Sequence, residues 1–249
     1  MLITVIIPCY NEKKTISKIV DKIISLKNIN LQVIVVDDFS NDGTREILKE
    51  NISKKVDKII YHEKNRGKGA AIKSSIDSIK GNIIIIQDAD LEYDPLDYYN
   101  LIKPFNDQNT KVVYGSRVLG RKDLKKSSLI QKYRIFGNYL LTKFSNFINN
   151  QKLTDAHTCY KVFDKDVFFK LDIKEDDFAF CPEVTTKLSN IKQSITEVPI
   201  SYDGREIKDG KKIRFSDAIK AVKVIIKYKF FNNIIWTKLK IFFLWWLIN

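Results

Sequence analysis

Residues Ile83 to Pro95 read IIIIQDADLEYDP, and this stretch decides the fold. Four consecutive isoleucines do not alternate with polar residues, so they predict a strand covered on both faces, as in a mostly parallel α/β sheet. Asp88 and Asp90 follow where that strand ends. Ligands of open α/β sheets bind beyond the carboxyl ends of the strands. Two carboxylates there predict a site for Mg²⁺ or Mn²⁺, with a solvated turn as the alternative for an isolated Asp-x-Asp.

The composition indicates one α/β domain with a C-terminal addition. The chain has 249 residues, and 44% of them are hydrophobic, which is enough for a large core. The formal net charge of +13 predicts an anionic partner, either nucleic acid, a phosphorylated substrate or an anionic membrane surface. Because the basic residues near the C-terminus are interleaved with apolar ones, we expect the last two and no nucleic acid.

The cysteine pattern predicts a reducing compartment. Three cysteines without a CxxC pair indicate neither a disulfide framework nor a zinc site, and two histidines argue against a histidine-based metal site. Leu2 to Ile7 resembles a strand and not the apolar part of a signal peptide, and no run reaches the ~18 apolar residues of a membrane span. We therefore expect a cytoplasmic protein.

The first half predicts a βαβ unit whose strand ends carry polar residues. Strands are expected at Leu2 to Ile7 and Leu31 to Val36, with a helix between them. Asp37 and Asp38 follow the second strand, where a carboxylate can accept hydrogen bonds from a base or a ribose. Tyr10, after the first strand, could stack on the base.

The next two expected strands end in basic residues. Val56 to His62 leads to Asn65 to Ala71, whose glycines, Arg66 and Lys68 suggest an anion cradle at a helix start. A glycine-rich loop with solvated cations is the equal alternative. Lys111 to Gly115 forms another strand, and Arg117 follows it.

Taken together, these motifs resemble the catalytic domain of glycosyltransferase family 2, which has the GT-A fold, a Rossmann-like, mostly parallel sheet flanked by helices. Within the family the chain is similar to dolichyl-phosphate mannose synthases and polyprenyl-phosphate glucosyltransferases. The resemblance extends over Leu2 to Ile213, and as an ensemble it is specific. It rests on PCYNE, VVDDFSNDGT, NRGKGAA, QDADLEYDP, YGSR, DAHTCYKVF, FCPEVTTKL and VPISYDGREIKDGKKI, in this order.

The resemblance implies a role for each matching residue. Asp88 and Asp90 would bind the metal, with Asp90 as the direct ligand that bridges Mg²⁺ or Mn²⁺ to the donor diphosphate. Arg117 and Arg134 would receive the acceptor phosphate. The donor nucleotide sugar, GDP-mannose or UDP-glucose, would contact Pro8, Tyr10, Glu12, Asp38, Asp88, Ala89, Asp90, Arg205 and Lys211.

The implied reaction is inverting transfer of a hexose to a polyprenyl phosphate, dolichyl or undecaprenyl. A phosphate monoester is largely anionic at neutral pH, so it can attack without a base. A saccharide or protein hydroxyl is the alternative acceptor, and it would require a carboxylate base. The candidates for that base are Asp155, Asp176, Asp177 and Glu183. A non-enzymatic basic module that binds membrane or nucleic acid is the remaining alternative.

The C-terminal region predicts contact with a membrane surface. We expect a catalytic domain over residues 1–213 and a basic amphipathic helical tail over 214–249. In that tail Lys220, Lys223 and Lys227 share one helical face opposite apolar residues, and Ile241 to Ile248 is aromatic-rich. A second apolar stripe, within a helix expected over 131–149, comprises Phe136, Leu140, Phe144 and Phe147. The expected location is peripheral, on the inner face of the membrane, alone or with a partner membrane protein. The alternative is that both helices pack on the domain or on a partner chain.

Overall fold

The computed structural model describes residues 1–121, 129–204 and 215–231. Within them, seven strands form one sheet in the order β3-β2-β1-β4-β6-β5-β7. The strands are β1 (Leu2–Cys9), β2 (Asn30–Asp37), β3 (Lys58–Tyr61), β4 (Ile83–Ile86), β5 (Val112–Ser116), β6 (Lys161–Asp164) and β7 (Thr196–Pro199).

The sheet is mostly parallel, as predicted. β1 is parallel to β2 and β4, β2 is parallel to β3, and β5 is parallel to β7. Only β6, among these strands, runs antiparallel to its neighbours β4 and β5. The carboxyl ends of the other six strands therefore lie along one edge of the sheet.

Helices flank the sheet. The α-helices of the described residues are α1 (Ile16–Ile24), α2 (Thr44–Ile47), α3 (Lys68–Ser74), α4 (Tyr98–Ile102), α5 (Leu129–Asn149), α6 (Lys165–Lys170), α7 (Phe180–Asn190) and α8 (Phe215–Ile226). Short 3₁₀ or π-helical turns occur at Leu48–Ile52, Ile76–Ser78, Pro95–Asp97, Lys103–Asn106 and Lys227–Phe231. The fold is α/β of the GT-A type, in agreement with the sequence prediction.

The core forms where the sequence patterns require it. All four isoleucines of β4 are buried, because helices cover both faces of the central strands. In α1, Ile16, Ile19, Val20 and Ile23 are buried at helical spacing. Ile24, an apolar residue next to Ile23, is exposed.

The helix α8 packs on the domain. Its residues Ala221, Val224 and Ile225 are buried, and the helix contacts α5 and α7. Lys220, Lys223 and Lys227 are exposed, as the pattern predicted. The tail beyond residue 231, with Ile241 to Ile248, lies outside the described residues. No helix in the described part of the chain has the length and hydropathy that crossing a bilayer requires.

Candidate active site

Strained backbone marks the loops at the carboxyl edge of the sheet. Asn11, Phe39 and Leu91, which follow β1, β2 and β4, have φ angles of 53°, 67° and 64°. This left-handed region is uncommon for residues other than glycine and costs free energy for bulky side chains. Four further described residues with positive φ, Asn28, Asn150, Asp172 and Lys192, lie elsewhere. The edge is the candidate active site because ligands of α/β sheets bind beyond the carboxyl ends of the parallel strands.

Asp88 and Asp90 lie directly beyond β4, where the sequence predicted them. Oδ1 of Asp88 accepts a hydrogen bond from Nζ of Lys68 at 2.5 Å, and Oδ1 of Asp90 accepts one from the backbone N–H of Glu92 at 3.1 Å. Ala89, between them, is buried. The two carboxylates are therefore held by different partners, a side-chain cation and a backbone amide.

Lys68 stays charged at this site. Its side chain is 10% exposed, and burial opposes the charge, but the carboxylate of Asp88 raises the pKa of Lys68 well above its ordinary value. Burial also raises the pKa of the Cys159 thiol, whose Sγ lies 3.1 Å from Nζ of Lys68. Lys68 thus neutralises Asp88 at the end of β4.

The carboxylate pair suits a hard divalent cation. Carboxylate oxygens are the ligands that Mg²⁺ and Mn²⁺ prefer, and Mg²⁺ is commonly bound by one or two carboxylates plus substrate phosphates. The hydrogen bond from Glu92 fixes the orientation of Asp90, as partners of a ligand do in metal sites. Across residues 1–121, 129–204 and 215–231, no group of three or more acidic, His or Cys side chains is arranged to hold a metal.

Gln87 and three buried tyrosines hold the loop that carries Asp88 and Asp90. Oε1 of Gln87 accepts hydrogen bonds from the hydroxyls of Tyr98 and Tyr160 at 2.8 and 2.7 Å, and its Nε2 donates to the carbonyl of Asp88. The Tyr93 ring packs on that of Tyr160 at 4.8 Å. This buried network connects the end of β4 to β6, and it was not predicted from the sequence.

The predicted nucleotide residues lie along the ends of β1 and β2. Pro8 lies within β1, opposite Val36 in the parallel register, and Tyr10 follows the strand half-buried. Glu12 is buried, and its carboxylate accepts a hydrogen bond from Thr15 at 2.8 Å. These residues share an edge with Asp88 and Asp90, and their contact with a nucleotide stays a prediction.

Asp38 has a structural role inside the protein. Its carboxylate accepts hydrogen bonds from the backbone N–H groups of Arg66 and Gly67 at 2.8 and 2.7 Å, and it lies 2.7 Å from Nδ1 of His62. The side chain is buried. Asp38 therefore fixes the loop between β3 and α3, in addition to the nucleotide role that the resemblance implies.

The backbone amides of the glycine-rich loop before α3 donate hydrogen bonds to other parts of the protein. A Cβ atom at Gly67 or Gly69 would collide with the backbone carbonyls of Asp176 and Glu175. The N–H of Ala70 donates to the carbonyl of Asp176 at 2.9 Å. The anion-cradle interpretation is therefore wrong for the backbone amides of Arg66, Gly67 and Ala70, which already have partners in the protein. The loop's amides are used by Asp38 and by the segment before α7, a packing relation that local sequence does not reveal.

Arg117 follows β5 and is held by a buried carboxylate. Its Nε and Nη2 donate to Asp155 at 2.7 and 2.8 Å, and the ring of Tyr202 lies 5.2 Å from its Cζ. Burial opposes the charge, but the neighbouring Tyr93 and Asp155 raise the pKa of Arg117 well above its ordinary value. In return, Arg117 holds the pKa of Asp155 well below its usual range despite burial. The arginine is thus a fixed cation at the sheet edge.

Three predicted residues are not described at the side-chain level. Arg134 lies in α5, but its side chain is outside the described set, and Arg205 and Lys211 fall in the undescribed residues 205–214. Their roles stay predictions. The four candidate base residues are described, and each pairs with a cation: Asp155 with Arg117, Asp176 with Lys73, Asp177 with Lys220 and Glu183 with Lys187.

The comparisons with known proteins identify the family. Residues 4–171 match the family model described as glycosyl transferase family 2. The chain is a glycosyltransferase, and it belongs to family 2.

Curated relatives include lipid-phosphate glycosyltransferases. The UDP-N-acetylglucosamine–dolichyl-phosphate N-acetylglucosaminyltransferase of Methanococcus voltae is 29% identical, over 80% of this chain and 84% of that protein. The dolichyl-phosphate beta-glucosyltransferase ALG5A of Trichomonas vaginalis is 25% identical, over 93% and 74%. The low-salt glycan biosynthesis hexosyltransferase Agl6 of Haloferax volcanii is 28% identical over 82% of this chain, which spans about half, 48%, of that relative.

Solved structures share the fold. Glucosyl-3-phosphoglycerate synthase of Mycobacterium tuberculosis in complex with UDP has a TM-score of 0.70 at 15% identity, over 93% of this chain and 81% of that one. The same enzyme with Mn²⁺, UDP and glucosyl-3-phosphoglycerate gives 0.66 at 16% identity, over 91% and 77%. At this identity the likeness establishes the fold alone.

Proposed function

We propose that the protein transfers a hexose, with inversion, from a nucleotide-diphosphate sugar to a polyprenyl phosphate at a membrane surface. Two of the relatives described above are named for transfer to dolichyl phosphate. The order of motifs and the two oppositely charged ends of β4 and β5 support the same chemistry in this chain.

The acidic side of the site would take the donor. Asp90 would be the direct ligand of Mg²⁺ or Mn²⁺, as the resemblance implies, and Asp88, which pairs with Lys68, would lie beside it in the metal site. A bound divalent cation would offset the negative charge that develops on the departing diphosphate. Arg205 and Lys211 would add positive charge to the same group. Pro8, Tyr10, Glu12 and Asp38 would line the nucleotide end.

The basic side would take the acceptor. Arg117 is fixed by two hydrogen bonds to Asp155, so it can present its guanidinium to a phosphate without first ordering a side chain. Arg134 would provide the second cation. An anionic phosphate oxygen held in line with the anomeric carbon would displace the diphosphate directly, which inverts that centre.

One observation carries the choice of a phosphate acceptor over a hydroxyl. Each of the four carboxylates considered as a base forms an ion pair, and despite burial the pKa values of Asp155 and Asp177 are lowered by their partners Arg117 and Lys220. A carboxylate with a lowered pKa is a weaker base. A phosphate acceptor requires no base, so this arrangement supports it.

The helix α5 supports action at a membrane surface. Its inward face is polar, with Thr142, Ser145 and Asn149 buried, whereas Phe136 and Phe147 are 58% and 84% exposed. Of the predicted stripe Phe136, Leu140 and Phe147 are exposed and Phe144 is half-buried. Exposed aromatic side chains beside lysines suit the headgroup region of a bilayer, so α5 would rest on it.

The proposal extends to organisation and location. Residues 1–213 would form the catalytic domain and 214–249 a basic tail, and the protein would bind peripherally to the cytoplasmic face. The three cysteines, Cys9, Cys159 and Cys181, are free thiols, which suits a reducing compartment. A partner membrane protein would be a second way to hold the enzyme at the bilayer.

A labelled-sugar transfer assay tests the proposal. GDP-mannose, UDP-glucose and UDP-N-acetylglucosamine would each be offered to dolichyl or undecaprenyl phosphate in detergent, with and without Mn²⁺. We expect metal-dependent label in the lipid fraction, and a loss of at least about a hundredfold in Asp90→Ala. The matched control is Asp21→Ala, which removes an exposed carboxylate on α1 that pairs with Lys55.

The assay also has outcomes against the proposal. Donor hydrolysis without lipid product would move the search to hydroxyl acceptors and their base. Wild-type turnover in Asp90→Ala, with Mg²⁺ and with Mn²⁺, would refute the metal site.

A further inference from the structure

Tyr202 lies between the acidic and basic sides of the site. Its hydroxyl donates a hydrogen bond to Oε2 of Glu92 at 2.8 Å, and its ring packs 5.2 Å from the guanidinium carbon of Arg117. The same ring makes an edge contact with Tyr93, at a centroid distance of 5.2 Å. One side chain thus contacts both charged halves, and the sequence motifs assigned it no role.

The backbone around Tyr202 is attached to the loop that follows Asp90. The N–H of Asp203 donates to the carbonyl of Glu92 at 2.9 Å. The N–H and hydroxyl of Ser201 both donate to Oδ2 of Asp97, at 2.8 and 2.6 Å. Residues 201–203 are therefore bound to residues 92–97 on both sides of the tyrosine, which limits the positions that its ring can take.

A continuous chain of contacts joins the metal-binding candidate to the phosphate-binding candidate. Asp90 accepts from the N–H of Glu92, the carboxylate of Glu92 accepts from Tyr202, and the ring of Tyr202 lies under Arg117. Each step is a direct contact. A shift of Tyr202 would therefore change the positions of Asp90 and Arg117 together.

We propose that Tyr202 is a positioning residue with two separable parts, a hydroxyl that orients the donor side and a ring that orients the acceptor side. The inference rests on the proposed function and deepens it. The hydroxyl makes a charge-assisted hydrogen bond to Glu92, which restrains the loop of Asp90. The ring stabilises the position of the Arg117 cation through its π face.

Two substitutions separate these parts. Tyr202→Phe removes the hydroxyl and keeps the ring, whereas Tyr202→Leu removes both. Tyr99→Phe and Tyr99→Leu are matched controls, because Tyr99 is partly exposed and its hydroxyl bonds only to the backbone of Lys27 among the described contacts.

The readouts are the KM for the donor, the KM for the lipid phosphate and the dissociation constant of UDP with Mn²⁺ by calorimetry. We expect Tyr202→Phe to weaken donor binding about tenfold, the effect of losing one hydrogen bond to a charged group, with the acceptor KM unchanged. Tyr202→Leu is expected to raise both KM values. Thermal unfolding would verify that all four variants fold.

Any other pattern overturns the inference. Equal effects of Tyr202→Phe on both KM values would indicate a general structural role, and no effect would exclude the hydroxyl as an orienting group. Calorimetry needs no acceptor, so the donor arm remains decisive even if the wild-type enzyme transfers nothing to lipid phosphate, a result that would refute the proposed function separately.

Discussion

Arg117 and Asp155 form a paired contact in which two guanidinium nitrogens meet two carboxylate oxygens, Nε to Oδ2 at 2.7 Å and Nη2 to Oδ1 at 2.8 Å. The backbone N–H of Arg117 and Nδ2 of Asn138 also donate to this carboxylate, each at 3.1 Å. The carboxylate of Glu197 accepts from the N–H of Asp155 at 3.0 Å. The end of β5, the loop before β6 and α5 thereby hold the guanidinium in one orientation.

Replacing Asp155 with Asn should therefore damage acceptor binding and stability together. Arg117 would lose its counter-charge and one of its two acceptors, and breaking a buried ion pair from one side costs about 3–5 kcal/mol. We expect a higher KM for lipid phosphate and a lower urea midpoint. Asp172→Asn is the control, because its pair with Lys174 is exposed and such pairs contribute little. An unchanged acceptor KM would contradict the role of Arg117.

Replacing Lys68 with Met should strengthen metal binding while weakening the fold. Asp88, whose side chain is 24% exposed, would lose its cation, and the site would become more negative. By Coulomb's law at the effective dielectric of a protein surface, we expect Mn²⁺ to bind about tenfold more tightly. Electron paramagnetic resonance of free Mn²⁺ measures this without any turnover.

Lys73→Met is the matched control for that change. Lys73 lies in the same helix and pairs with Asp176, whose side chain is exposed. Its loss should leave Mn²⁺ affinity unchanged. Weaker Mn²⁺ binding in Lys68→Met would mean that Lys68 orients Asp88 for the metal and does not compete with it.

His157 should make the protein less stable in mild acid. Burial and, after it, the charge of Lys161 together lower the pKa of His157 to about 4. Between about pH 6.5 and 4 the unfolded chain binds a proton that the folded protein does not, so stability is complete above pH 6.5 and falls as pH decreases through this window. Over the whole pH interval the free energy of unfolding falls by about 3 kcal/mol.

Urea unfolding at pH 7 and at pH 4.5 measures this contribution. His157→Gln cannot take up the proton, so its midpoint should change less between the two values than that of the wild type. Among the described residues, Nε2 of His157 has no hydrogen-bond partner. The substitution therefore breaks no described hydrogen bond at Nε2, and thermal unfolding at pH 7 checks that the variant folds. Equal pH dependence of the two proteins would place the sensitivity in other groups.

The parts of the fold that were predicted depend on local sequence. The isoleucines of β4 and the spacing of apolar residues in α1 are visible within a few residues, so the first βαβ unit could be predicted. The strand β6, which lies between β4 and β5, could not be, since its four residues are placed by pairing with strands distant in the chain. Its antiparallel direction is likewise a long-range property.

The site divides in the same way. Asp88 and Asp90 could be placed because they directly follow a strand that must be buried. Asp38 accepts hydrogen bonds from amides that lie 28 and 29 positions further along the chain, and Tyr202 bonds to Glu92 across 110 positions. No local sequence pattern predicts contacts of such long range. The contacts of Gly67 and Gly69 with the backbone of residues 175–176 were missed for the same reason. A glycine in the sequence indicates that another group can approach closely, but it does not identify that group.

The exposed face of α5 provides the last prediction. Phe136 and Phe147 lie outward while hydroxyl and amide groups lie inward, an inversion that leaves aromatic surface facing away from the core. Burying one phenylalanine is worth about 1.5–3 kcal/mol, so the double change Phe136→Ser with Phe147→Ser should weaken binding to anionic liposomes by at least about tenfold. Sedimentation with phosphatidylglycerol vesicles measures it. Ile24→Ser with Phe169→Ser is the control, since both are exposed apolar residues on other helices, α1 and α6. Equal sedimentation of the two double variants would remove α5 from the membrane contact and leave residues 232–249 or a partner protein to hold the enzyme at the bilayer.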